Sequence, residues 1–322
     1  MRRSFLFFLA GAVLNLTALA TRTAAQEPSP PGGGVKAVLE LSQRFYYVGE
    51  PFFVRVSIGN DGEKKTTNPV KTPLFQGFRV RPSGGELIPP TGSPGVQEPA
   101  RPEKLSSKSF YGSILDLTLL YPELLQVGQY EIHWSADGVS SDTIVVRMIP
   151  RYDPTKEYRA RMETDEGTVV MEFFKETAPL AVKNFVDLAN AGFYDGLTFH
   201  EVRSDMYIIG GDPLGNGAGG AGYSYPAETA ALPAVTGTVL MKPMSPSPPS
   251  NSSQFLILLR PEPTWTGQFT VLGQVVEGLD IVKRISKRPN SEQTSRPYFK
   301  PLKDVTIRKI TIAEAKASTP QP

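Results

Sequence analysis

The sequence contains no cysteine, which excludes disulfides, thiolate metal sites, cysteine nucleophiles and a lipid-modified cysteine at a mature N-terminus. Stability must therefore come from packing. Histidine is almost as scarce. His133 and His200 stand alone in different halves of the chain, so a histidine-rich metal cluster is excluded and hydrolytic chemistry loses its usual base. Neither sign of charge accumulates: 34 basic residues face 32 acidic ones, with no long run of either. That balance sets aside nucleic acid and anionic membranes as partners. After the first 25 residues no apolar run is long enough to span a bilayer.

What is present is ordinary globular composition, 40% apolar and 20% charged over 322 residues, a length that favours two domains. Arg2 and Arg3 precede an apolar run, Ser4 to Ala20, which ends in small residues through Ala25. This order reads as a signal peptide over residues 1–25 and predicts an exported protein, periplasmic, cell-envelope or secreted. Ala18-Leu19-Ala20 and Thr23-Ala24-Ala25 offer equally placed cleavage sites, and an uncleaved anchor is the competing reading. Residues 26–34, rich in proline and glycine, have nothing to bury and predict a flexible lead.

Between residues 35 and 150 the apolar pattern has a period of two. It runs through Val38 and Leu39, then Phe52, Val54, Val56 and Ile58 before the turn Asn60-Asp61-Gly62, and closes with Gly128 to Trp134 and Thr143 to Met148. These segments predict an antiparallel β-sandwich of immunoglobulin-like type, with Trp134 buried and His133 at the surface, and no chemistry is assigned to it. Pro82 to Pro102 is too rich in proline and glycine for regular structure. Residues 151–156 form a polar connection with two prolines, and a second domain is expected over residues 157–313. It opens with two strands around Thr164-Asp165-Glu166-Gly167 and a helix that starts at Thr177-Ala178-Pro179 and ends at Gly192. Val305 to Ile312 predicts a last strand, and residues 314–322 a disordered tail.

The most specific feature is the run Gly192-Phe193-Tyr194-Asp195-Gly196-Leu197-Thr198-Phe199-His200, followed by Gly210-Gly211-Asp212-Pro213 and the glycine-rich Gly215 to Gly222. With Asn184-Phe185, Gly237-Thr238, Met241, Ser253-Gln254-Phe255, Trp265, Gly273 and Val276-Glu277-Gly278-Leu279, it resembles the cyclophilin family over roughly Tyr158 to Ile312. The resemblance implies a closed eight-stranded β-barrel capped by two helices, the second over Glu277 to Ile285. It also implies peptidyl-prolyl cis-trans isomerisation of proline-containing polypeptides with no metal or cofactor. The glycine spacing alone would also suit a phosphate loop, but no βαβ unit and no Lys-Ser/Thr follow it.

Prolyl rotation is opposed by amide resonance, a barrier of ~18–20 kcal/mol. Cyclophilins weaken that resonance with an arginine donor to the prolyl nitrogen, an apolar pocket for the ring, and a glutamine that fixes the neighbouring carbonyl. Here Glu201, an acceptor, follows Phe199-His200 where the resemblance places the arginine. Ile209 stands for the glutamine, Met206 for the pocket aromatic and Phe269 for the pocket histidine. Met241, Phe255, Trp265 and Phe269 are the expected apolar surround and Gln254 the expected peptide contact, with Arg203 and Lys242 as candidate replacement cations. Two functions follow: a weak or altered isomerase of exported polypeptides, or an inactive protein-binding module of the envelope in which Glu201 selects a basic peptide.

Overall fold

A computed structural model describes residues 34–315 apart from 44, 96, 97, 293, 295 and 296. The residues read as a signal peptide, all but the last of those read as a flexible lead, and those after residue 315 lie outside the described residues.

The alternating segments form strands as expected. They are β1 Val35–Leu41, β2 Phe45–Tyr47, β3 Phe53–Asn60, β4 Phe78–Pro82, β5 Ser109–Asp116, β6 Gly128–Ala136 and β7 Ile144–Ile149. They make two sheets, β1-β3-β5 and β2-β7-β6-β4. Their inner faces share one core, in which Val54, Val56, Ile58 and Leu115 meet Phe78, Ile132, Trp134 and Val146. Trp134 is fully buried, and its indole N–H donates to the Leu74 carbonyl at 2.6 Å, which satisfies its one polar atom. His133, next along the strand, is only half-buried. The β2–β7 pair is parallel, so the sandwich is not antiparallel throughout. Before β4, Phe75 lies in a 3₁₀ turn over Leu74–Gly77. Glu98 holds that turn by accepting the Leu74 and Phe75 N–H groups, so the proline-rich loop is tied down at this point.

The second unit comprises β8 Tyr158–Thr164, β9 Gly167–Phe173, α1 Pro179–Asn190, β10 Glu201–Arg203, β11 Tyr207–Gly210, β12 Thr238–Met241, β13 Phe255–Leu258, β14 Val271–Glu277, α2 Leu279–Ser286 and β15 Ile307–Glu314. In α1, Pro179 occupies the first turn, and Ala181, Val182, Phe185, Val186, Leu188 and Ala189 are buried. Glu228 accepts the Leu180 and Ala181 N–H groups, so a distant carboxylate serves as the cap that Ala178 cannot provide. The last strand begins two residues later than read and runs on to Glu314, read as the first residue of the tail, which pairs with Tyr158.

The eight strands follow the order β10-β11-β13-β12-β14-β9-β8-β15. The closed barrel expected from the resemblance is not formed by strand ladders. The end strands β10 and β15 are not paired, and the sheet is an open half-barrel. Residues 196–199 cross the gap through a single bridge, Thr198 to Thr306, with Phe199 N–H donating to Val305 and Gly196 N–H to Ile307. Three-residue β10 is too short to complete the seam.

The two units touch. Tyr47 donates its hydroxyl to Asp187 of α1 at 2.6 Å and accepts from Lys183 at 2.7 Å, while Phe45 packs against the second core. The connection at residues 151–156 is anchored as well. Tyr152 is buried in that core, and Lys175 donates to the Pro154 and Lys156 carbonyls.

Candidate functional site

Strand parity decides which side chains the site can use. On one face of the half-barrel, Val202, Ile208, Ile257 and Val239 enter the interior core together with Met241 and Phe255. On the other face Glu201 pairs with Ile209, Ile209 with Leu256, and Leu256 with Leu240. Ile209, Leu256, Leu240, Leu258 and Val271 form a separate outer cluster, covered by Tyr207, Trp265 and Phe269. Those aromatics stack in series, with centroids 6.0 Å apart for Tyr207–Trp265 and 5.0 Å for Trp265–Phe269.

Several sequence expectations change accordingly. Met241 and Phe255 are fully buried and face the interior, with Phe255 edge-on to Phe185 and Tyr194, so neither lines the outer surface. The outward neighbours are Leu240 and Leu256, together with Tyr207, none of which the sequence reading named. Alternation along the strand was the available signal, because a chain that turns Gln254 outward also turns Leu256 outward and Phe255 inward. Met206 lies in the turn between β10 and β11, its N–H donating to the Arg203 carbonyl, and it is not among the side chains packed on the outer cluster. Trp265 and Phe269 cover the outer cluster that contains Ile209.

Glu201 and Arg203 share the outer face. Glu201 Oε1 accepts from Arg203 Nε at 2.9 Å and from the Tyr207 hydroxyl at 2.9 Å. Arg203 also stacks on Phe299, 3.9 Å from its centroid, and on Tyr207. Burial and the Glu201 charge push the Tyr207 phenol far above its ordinary range, so it stays a donor. The carboxylate at the position of the implied arginine is thus engaged by its own neighbours.

Gln254 is fully buried, and its amide is used up internally: Nε2 donates to the Gly217 and Gly219 carbonyls while Oε1 accepts from Lys242 Nζ at 2.9 Å. It supports the glycine-rich loop, and the expected peptide contact is not presented. Asp212 organises the same loop, accepting from the N–H groups of Leu214, Asn216 and Gly217 at 2.6–3.0 Å. Burial works against its charge, but these backbone donors outweigh it and hold the carboxyl below its usual range. The N–H groups that a phosphate would need are therefore occupied by Asp212, which removes the nucleotide reading. Lys242 Nζ rests on Gln254 Oε1 and on the Gly217 carbonyl at 3.0 Å, and burial lowers its pKa. Behind it His200 is 2% exposed, and both ring nitrogens lack a hydrogen-bond partner. Burial drives its pKa down as well.

A family described as "Cyclophilin type peptidyl-prolyl cis-trans isomerase/CLD" matches residues 159–312, which hold both helices and all but the outer ends of β8 and β15. The chain is 38% identical over 145 residues to the peptidyl-prolyl cis-trans isomerase ppi1 of Schizosaccharomyces pombe, covering 44% of this chain and 92% of that protein. The C-terminal half of the chain belongs to the cyclophilin family. Identity is 35% over 151 residues to the peptidyl-prolyl cis-trans isomerase-like 1 of Homo sapiens, covering 46% of this chain and 88% of that one. A solved cyclophilin of Cryptosporidium parvum superposes with a TM-score of 0.45 at 28% identity, over 49% of this chain and 99% of its own, in the presence of the dipeptide Ala-Pro. The sandwich lies outside the family match. Within the cyclophilin half, the face that carries Glu201, Ile209, Leu256 and Trp265 is the candidate peptide surface.

Proposed function

We propose that the cyclophilin half binds and isomerises prolyl segments of exported polypeptides, at a rate well below that of a cyclophilin with its arginine in place. The observation that carries this reading is the engagement of Glu201 by Arg203 and Tyr207. The position from which a donor would reach the prolyl nitrogen holds an acceptor, and the nearest guanidinium is tied to it. Losing one preorganised donor commonly costs ~10² to ~10³ in rate. Arg203 shares the outer face, its guanidinium 5.5 Å from the Tyr207 ring centroid, and is the candidate for a residual donor there.

The second reading, a protein-binding module without catalysis, is favoured by the internal use of Gln254 and by the aromatic cover over Ile209 and Leu256, which are 4% and 3% exposed. On this reading the exported chain uses its outer face, its immunoglobulin-like sandwich or both to hold an envelope partner. The two readings part on isomerisation of a proline peptide by the full chain, measured beside Glu201→Arg, Ile209→Gln and the pair combined. Because Arg203 is the ion-pair partner of Glu201, Glu201→Arg is also made with Arg203→Ile. Measurable activity in the natural chain that falls with Arg203→Ile supports the weak isomerase. A natural chain indistinguishable from the uncatalysed reaction, with activity gained on restoring the arginine and glutamine, sinks it in favour of the binding module. Export is tested by fractionating cells that produce the full chain, where retention in the cytoplasm refutes it.

A further inference from the structure

Lys242 is a half-buried ammonium with no anionic partner in contact. Its two acceptors, the Gln254 amide oxygen and the Gly217 carbonyl, are neutral, and among the described residues no carboxylate lies within 4 Å of it. An ammonium carries three donors, so one remains unassigned. Burial disfavours its charged form more than the Glu201 and Asp212 charges, neither of them in contact, favour it, so the pKa of this side chain is lowered. Nearby carboxylates are committed elsewhere. Glu201 is neutralised by Arg203 and hydrogen-bonded by Tyr207, and Asp212 is saturated by the backbone of the loop behind Lys242.

The surroundings are short of an acceptor too. His200, almost fully buried and unpartnered at both nitrogens, converges with Lys242 on Gly217, where a Cβ would stand 3.9 Å from His200 Nε2 and from Lys242 Nζ. Lys242 continues the outer parity of β12 two residues beyond Leu240, and its N–H donates to the Gln254 carbonyl, so the ammonium stands beside the outer apolar cluster. A ligand lying over the aromatic cover of that cluster would meet both the free donor of Lys242 and the Glu201–Arg203 ion pair.

We propose that Lys242 is the specificity element of this surface and binds the carboxylate of an acidic side chain next to the proline of the polypeptide ligand. The inference rests on the prolyl-peptide reading above and reverses the selection of basic peptides expected from Glu201 alone. A ligand carboxylate supplies a contacting counter-ion for the unassigned donor, and the apolar cluster beside it limits water, which strengthens the charge-assisted hydrogen bond.

The test is binding of capped pentapeptides with central proline, flanked on both sides by glutamate, alanine or lysine, to the full-length chain at neutral pH and low ionic strength. The glutamate peptide is expected to bind about threefold to tenfold tighter than the alanine peptide, and the lysine peptide more weakly than either. Lys242→Met should bring the glutamate and alanine peptides together, and Lys242→Arg should keep them apart. Retention of the preference by Lys242→Arg separates lost charge from lost folding. Equal binding of all three peptides to the natural chain overturns the role of Lys242 and leaves the prolyl reading standing, as does a preference that survives Lys242→Met. Absence of binding by any of the three overturns the prolyl reading and this inference together.

Discussion

Replacing Tyr47 by Phe tests whether the sandwich and the cyclophilin half act as one body. The Tyr47 hydroxyl donates to Asp187 at 2.6 Å and accepts from Lys183 at 2.7 Å, and the Asp187 side chain is only 4% exposed. A hydrogen bond to a charged group contributes about 1.5–3 kcal/mol. Lys183 remains on Asp187 when the hydroxyl is gone, and Tyr47 is itself half-buried, so the lower end applies: Tyr47→Phe should cost about 1.5 kcal/mol. Asp187→Asn perturbs the same contact from the other side. The double variant should therefore cost less than the two singles added, with a coupling of about 1–2 kcal/mol. The chain has two tryptophans, one in each unit. In a Trp265→Phe background, Trp134 fluorescence reports urea unfolding of the sandwich alone. Asp187→Asn lies in the other unit, and it should shift that transition only if the contact transmits. A coupling within about 0.5 kcal/mol of zero, or a Trp134 transition indifferent to Asp187→Asn, would refute the view that the units are joined by this contact.

Two further outcomes follow from burial. Phe255→Ala should destabilise the cyclophilin half by about 3–5 kcal/mol, because the ring is fully enclosed, whereas Trp265→Ala at the half-exposed outer face should cost roughly 1.5 kcal/mol; thermal unfolding checks the order. Burial lowers the pKa of His200, and burial with Arg79 and Arg81 lowers that of His133, both from an ordinary value of 6.5. Between the lowered value and 6.5 the unfolded chain binds more protons than the native one. Stability held above pH 6.5 should therefore fall as pH drops below it, by at most about 1.4 kcal/mol per pH unit for each histidine. His200→Gln and His133→Gln should each flatten part of the slope, and an unchanged slope in both would count against it.

Much of the fold was legible in the sequence because it is written in local periodicity. The alternation through Phe52 to Ile58 requires a strand with one buried face, and the helical spacing from Ala181 to Ala189 after Pro179 requires an amphipathic helix. The family was legible for a different reason. Glycines and turn residues such as Gly211 at φ +85° sit where the backbone tolerates little else, with the Ser253 carbonyl 2.4 Å from any added Cβ, so their order persists in the chain. The open seam was not legible, since whether two end strands meet depends on their length and register across the whole sheet. Short β10 gives too little ladder to close it.

The sequence by itself determined the residue types: an acceptor at position 201, an aliphatic side chain at 209, an amide at 254 and cations at 203 and 242. Only the tertiary structure decided what each was free to do. Phe255 and Leu256 are equally apolar and adjacent, and strand parity sent one into the core and the other to the outer row. Gln254 could have met a peptide until the glycine loop folded over it and took its amide. Glu201 carries a charge in any sequence reading, yet the fold neutralises that charge through Arg203 and leaves Lys242 as the cation without a counter-ion. A side chain's chemistry is local, but its availability depends on partners brought from distant segments, and those partners meet only when the chain has folded.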